Sequence, residues 1–190
     1  MAAPRLILLA GPNGAGKSTL AVRLRDGAFA GVPFLNADDI ARSLAPEGPD
    51  AAAFEAGREL LRQRDSAIAA RSDLMVEKTL ATRVHLRAIH SARSGGYTTR
   101  LLFVWIAGVE VCLERIAMRV MQGGHHIPAD IVIRRFALGR RYLPAYLDAV
   151  DEADIFDGTV TPRLVAMKRL GRIAVRDRQT WLAISAARQS

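Results

Sequence analysis

Cysteine is almost missing from this 190-residue chain. Cys112 stands alone, which excludes an intramolecular disulfide and any cysteine-rich metal site and fits a reducing, cytoplasmic compartment. Lysine is nearly as scarce, with only Lys17, Lys78 and Lys168, so arginine carries most of the +8 formal charge. Those arginines are scattered instead of forming a run. Aromatic residues make up 6% of the chain, too few to build a stacking platform for single strands. An anionic substrate explains a basic cleft equally well, and nucleic acid is not expected as the main partner. No uninterrupted apolar run approaches the length of a membrane span, so no membrane partner is expected. The short apolar run near the amino terminus leads straight into a glycine-rich stretch and reads as a strand, not a signal peptide.

What is present is organised around Gly11-Pro12-Asn13-Gly14-Ala15-Gly16-Lys17-Ser18-Thr19, directly behind Leu6-Ile7-Leu8-Leu9-Ala10. A Gly, four residues and Gly-Lys-Ser between a strand and a helix form a phosphate-binding loop. Glycines let the backbone approach an anion, and successive N–H groups with the following helix N-terminus make a positive nest. In such a loop Lys17 reaches the β- and γ-phosphates of ATP, and the Ser18 hydroxyl is the protein's ligand to Mg²⁺.

Behind the loop, strand and helix patterns alternate. The pattern predicts a three-layer α/β/α phosphate-loop (P-loop) NTPase or kinase fold with a parallel sheet and a small helical lid. One domain over residues 1–190 is expected, with 122–141 as the candidate lid and Gly123-Gly124 as its hinge. The first helix is expected to carry Leu20, Val22 and Leu24 and to end near Gly27, which can supply a left-handed C-cap. A helical period of apolar positions runs from Ala53 and Phe54 to Ile68, with Asp50 as its N-cap. The helix near 109–121 is expected to bury Leu113, Ile116, Ala117 and Val120, and Pro128 to open the next one. The strongest strand signal is Thr98–Ala107; Ile155-Phe156 reads as a last core strand, followed by two short strands and a helix around Trp181.

Ligands of such sheets bind beyond the carboxyl ends of the strands, a rule that gathers the loop, Asp38 and Glu77 at one rim. The transporter-type ATPase signature Leu-Ser-Gly-Gly-Gln is absent, and the strand ending at Ala107 leads into Gly108, not an acid. That missing acid weakens a motor-type or switch-type NTPase, in which it helps hold Mg²⁺. A small-molecule kinase remains, needing a base, cations for the phosphoryl group and exclusion of water. Asp38 is the expected base, with capping of a helix over 39–44 as its competing role and Asp39 as the alternative. Glu77 either fixes the acceptor or helps through Mg²⁺-bound water, with a structural ion pair to Lys78 or a nearby arginine as its competing role. Arg115 and Arg119 share a helix face and are either solvated or line the cleft. Arg134 and Arg135 follow the glycine break, and Asp130 lies one turn before Arg134. His125 and His126 fall in the lid without further ligands at metal spacing. His85 and His90 are expected at the surface.

These pieces carry a resemblance. The loop, then Asn36-Ala37-Asp38-Asp39-Ile40, Glu77-Lys78-Thr79-Leu80, Gly96-Tyr97, Arg115-Ile116-Ala117-Met118-Arg119-Val120 with Gly-Gly-His-His-Ile-Pro, and Ile133-Arg134-Arg135-Phe136 resemble the zeta-toxin family of phosphate-loop kinases over about residues 5–158. The resemblance implies transfer of the γ-phosphoryl of ATP to the 3′-hydroxyl of the amino sugar of UDP-N-acetylglucosamine. It implies Asp38 as base, Lys17 on the phosphates, Asn36, Glu77 and Thr79 with Asp38 at the substrate, and Arg119 with Arg134 or Arg135 as catalytic cations. Two departures stand out. Lys78 replaces the first Thr of the family's Glu-Thr-Thr-Leu, and the chain is shorter than the well-known toxins, whose additional partner is an antitoxin. Kinases of another acceptor (a nucleotide, an antibiotic or a polynucleotide 5′-hydroxyl) and an ATP-binding regulatory module are the alternatives.

Overall fold

The computed structural model describes residues 2–124 and 126–186, with the side chain of Asp50 left out. Seven strands form one sheet in the order β2-β3-β1-β4-β5-β6-β7. They are β1 (Arg5–Ala10), β2 (Phe34–Leu35), β3 (Leu74–Lys78), β4 (Thr98–Trp105), β5 (Glu152–Asp157), β6 (Arg163–Arg169) and β7 (Arg172–Val175). The first five run parallel, with β1 central between β3 and β4. The last two are antiparallel, so the sheet is mixed where a parallel one was expected. The reason is connection length. Only residues 158–162 link β5 to β6, too few for the crossover a parallel pair requires. Between β6 and β7, Leu170 and Gly171 both take positive φ (50° and 73°), the two-residue turn that suits a hairpin.

Alternating residues of the near-continuous apolar strands serve two opposite cores. Leu6, Leu8, Leu74, Val76, Leu101, Phe103 and Ile155 pack under α3 (Ala53–Ala69), α4 (Val84–Ser94) and the second half of α6 (Ala129–Ala149). Ile7, Leu9, Met75 and Leu102 face α1 (Lys17–Arg25). Val104 and Ile106 face α5 (Val109–Met121) and Val132 at the start of α6. Since Val132 belongs to one side and Leu143 and Tyr146 to the other, α6 crosses over the carboxyl rim of the sheet. It runs unbroken through position 141, the expected end of the lid.

Several local expectations change. Gly27 is not left-handed: α1 stops at Asp26, and the chain continues through successive turns, with Gly31 taking φ 75°. Val22 and Phe54 are exposed. A single 3₁₀ turn (Pro49–Ala52) precedes α3, so Asp50 lies before the helix. Pro128 occupies the cap of α6, one position outside its first turn. On α5 the buried positions are Cys112 and Ile116, whereas Ala117 is exposed. His85 is buried, contrary to expectation, and His90 is exposed. His125 lies outside the described residues. At the end of α5 the Gly123 N–H reaches the Val120 carbonyl and the Gly124 N–H that of Arg119, both at 2.9 Å, with Gly123 at φ 81°. This is the paired closure that terminates a helix, so the two glycines are first of all a stop. No described helix is long and apolar enough to cross a membrane.

Candidate active site

The glycine-rich stretch turns sharply off β1. A Cβ on Gly11 would lie 2.5 Å from the Val104 carbonyl oxygen, and one on Gly14 would lie 2.8 Å from that of Cys112. Both also carry positive φ (149° and 76°), so the path of this loop requires glycine twice over. The Gly11 N–H binds the Lys78 carbonyl at 3.2 Å, and Gly16 caps α1 with its backbone left-handed. The loop thus ends in a helix N-terminus without a side-chain cap, its leading N–H groups aimed at the rim. Asn13 Oδ1 is buried there without a hydrogen-bond partner.

Lys17 is the buried cation of the loop, 7% exposed. Its Nζ donates to the Pro12 carbonyl at 3.0 Å and stands 3.7 Å from Glu77 Oε1. Burial pulls this ammonium below the ordinary lysine range, partly offset by Glu77 and Asp38. Burial pushes the Glu77 carboxyl up, against the pull of Lys17 and Ser18. Glu77 is the hub: Ser18 Oγ donates to Oε2 at 3.1 Å and Asn36 Nδ2 at 3.2 Å. Its ion-pair partner is therefore Lys17. Lys78 cannot serve, because adjacent strand residues point to opposite faces.

Asn36, not Asp38, caps α2 (Ala37–Leu44); its Oδ1 accepts from the Asp38 N–H at 2.8 Å. The Asp38 carboxylate is thereby released from capping and stays exposed in the first turn, close enough to act electrostatically on both Lys17 and Lys78. Asp39 turns away to pair with Arg42. Thr79 follows β3 at the same rim, its carbonyl 2.8 Å from where a Cβ on Gly139 of α6 would stand. Thr19 is exposed at the start of α1.

The arginines divide. Arg115 is neither solvated nor part of a lid: it donates to the Gly14, Gly158 and Thr159 carbonyls at 3.3, 2.9 and 2.8 Å, tying α5 to the phosphate loop. Arg119 is half-buried one turn later. Arg134 is exposed and forms no ion pair with Asp130, while Arg135 is half-buried and acts on Lys78. Sequence reasoning missed two further groups. Arg140 lies 4.0 Å over the Trp105 ring and near Phe136 and Pro12. Arg64 and His85 are buried beside Lys78. For Arg64 there was a signal, since it shares an apolar stripe with Leu60 and Ile68 on α3.

The mostly parallel sheet with helices on both faces, entered through a glycine-rich loop, is a three-layer α/β phosphate-loop fold. A family profile described as an AAA domain matches residues 6–140. The chain belongs to this family. A protein of Haemophilus influenzae, itself uncharacterised, is 33% identical over 132 residues, covering 70% of this chain and 92% of that one. The AvrRxo1-ORF1:-ORF2 complex crystallised with ATP superposes with a TM-score of 0.74 at 19% identity, over 98% of this chain and 65% of the other. A structure of the PezAT toxin–antitoxin system of Streptococcus pneumoniae superposes at 0.66 with 14% identity, over 98% and 86%. The chain thus spans just under two thirds of the AvrRxo1 chain and most of the other two.

Proposed function

We propose that the protein is an ATP- and Mg²⁺-dependent kinase that transfers the γ-phosphoryl group to a hydroxyl of a UDP-activated amino sugar, UDP-N-acetylglucosamine. One observation carries the reading: Lys17, Ser18, Asn36 and Glu77 are joined by direct contacts at the rim where α2 presents the uncommitted Asp38. The loop N–H groups of 11–19 cradle the β,γ-phosphates and Lys17 draws off their charge. The residues present fit a bound cation, since Ser18 Oγ and the Glu77 carboxylate meet beside the phosphate cradle. Mg²⁺ bound there neutralises phosphate charge. Asp38 holds the acceptor hydroxyl and takes its proton. Asn36, Glu77 and Thr79 fix the acceptor. Arg119, with Arg134 or Arg135 on the crossing helix, meets the transferring group. The acceptor's identity rests on the zeta-toxin resemblance, and the AvrRxo1 and PezAT likenesses support the fold it requires.

The test is mass spectrometry of the purified protein with Mg²⁺-ATP and a panel of UDP-sugars, sugars and nucleosides, run beside Asp38→Asn. Phosphorylated UDP-N-acetylglucosamine from the parent and none from the variant is the expected result. ATP hydrolysis with no phosphorylated UDP-sugar would overturn the acceptor, and ATP bound without turnover on any acceptor would favour a regulatory module.

A further inference from the structure

On the face of β3 opposite Lys17, the fold gathers cations at the end of the strand. Lys78 follows Glu77 and so turns toward the core that Leu74 and Val76 share with α3, α4 and α6. Arg64 of α3 and His85 of α4 meet there at 2.9 Å, 6% and 3% exposed. A guanidinium only donates, so His85 Nδ1 is the acceptor and the imidazole is neutral. Arg135 stands one helical turn before Gly139, whose close seat against the Thr79 carbonyl fixes α6 over this spot.

The anionic side of the balance is thin. Arg64 pairs with Asp65 at 2.8 Å, a carboxylate 62% exposed. Glu77 is committed to Lys17, Ser18 and Asn36. Asp38 acts from across the rim, and the Tyr146 hydroxyl is spent on the Thr82 carbonyl at 2.8 Å. The Lys78 ammonium makes no hydrogen bond or ion pair among the described residues. Burial, Arg64 and Arg135 together pull its ammonium down to about 8, against Asp38 and Glu77. Crowding like charges out of water is unfavourable, and an anion placed among them reverses the sign of every such interaction.

We infer that Lys78, flanked by Arg64 and Arg135, is the subsite for a phosphate group carried by the acceptor, next to the hydroxyl that Asp38 activates. This rests on the kinase reading above and deepens it: the acceptor is itself a phosphate ester or diphosphate, and Lys78 selects it over its uncharged counterpart. A lysine supplies a point charge with rotatable donors, and Arg64, anchored by His85, offers its remaining N–H groups from a fixed position.

The test fills the loop with saturating Mg²⁺-ADP and then titrates sulfate, which keeps its double charge from neutral to alkaline pH, by calorimetry. Sulfate should bind the ADP-loaded parent, at least tenfold more weakly in Lys78→Met, and within threefold of parent in Lys78→Arg. In the kinase assay, a sugar phosphate should outcompete the same sugar without phosphate, and Lys78→Met should lose that preference. Equal sulfate binding by parent and Lys78→Met would overturn the subsite while leaving the kinase reading intact. Failure to bind Mg²⁺-ADP would overturn the kinase reading itself, and with it the assignment of the anion to a phosphoryl acceptor.

Discussion

Lys17 sits where its own burial disfavours its charge, and Glu77, which partly relieves it, is disfavoured in turn. Such a pair adds little net stability, and although removing one partner leaves the other's buried charge uncompensated, Glu77 keeps its hydrogen bonds from Ser18 and Asn36 when Lys17 is replaced. Lys17→Met removes the desolvated ammonium but keeps its apolar stem. Phosphoryl transfer should fall at least about 100-fold, as for loss of one preorganised donor, while the melting temperature moves by only a few degrees. A variant that melts far lower than the parent would show instead that the pair holds the loop together. Asp38 and Asn36 make a sharper contrast two residues apart. The cap belongs to Asn36, whose Nδ2 also supports Glu77, so Asn36→Ala should cost about 1 kcal/mol by chemical denaturation and weaken transfer as well. Asp38→Asn breaks no fold contact and should leave denaturation and ATP affinity unchanged while abolishing turnover. Equal turnover in that variant would remove Asp38 from the chemistry.

The element that makes the rim a site is α6, which crosses from the α5 side of the sheet to the α4 side and carries Arg134, Arg135 and Arg140 over the strand ends. Its seat depends on Gly139. An added methyl would press 2.8 Å from the Thr79 carbonyl, a backbone atom with little room to yield. Gly139→Ala should therefore cost about 1–3 kcal/mol and raise the acceptor KM as the helix lifts. The same change at Gly57 on α3 meets nothing within 4 Å and should stabilise by about 0.5–1 kcal/mol. Urea titrations of both variants settle the matter, and shifts of the same sign would discard this account of the crossing. The crossing was not legible in the sequence, although much else was. Loop, strands and helices could be read because their signals are local: an apolar run, a glycine where φ is positive, a proline at a helix start. What escaped depends on partners far along the chain. Arg115 donates to carbonyls at positions 14 and 158, and His85 meets Arg64. The cationic pocket was marked in advance by Lys78, a residue out of pattern beside Glu77, and by Arg64, a charge within the apolar stripe of α3.

At the scale of the whole molecule, the buried contact between His85 and Arg64 joins α4 to α3 under the sheet and makes stability depend on pH in a defined window. Burial, Lys78 and Arg64 hold the imidazole down to about 3, against an ordinary value of 6.5. The unfolded chain therefore binds the proton first as pH falls. Stability from this group is fully present above about 6.5 and is lost progressively toward 3, by up to about 1.4 kcal/mol per pH unit. A second window lies lower. Asp73, Asp151 and Asp157 are held below the usual carboxylate range by their hydrogen bonds and arginine partners, and their contribution fades only below about pH 4. The two windows separate by substitution. His85→Gln keeps an acceptor for Arg64 but cannot titrate, so denaturation midpoints measured from pH 7 to pH 5 should be nearly flat in the variant and should fall in the parent. Below pH 4 both proteins should lose stability together. Parallel curves across the whole range would mean that His85 titrates at the same pH folded and unfolded, so that neither its burial nor the Arg64 contact shifts it.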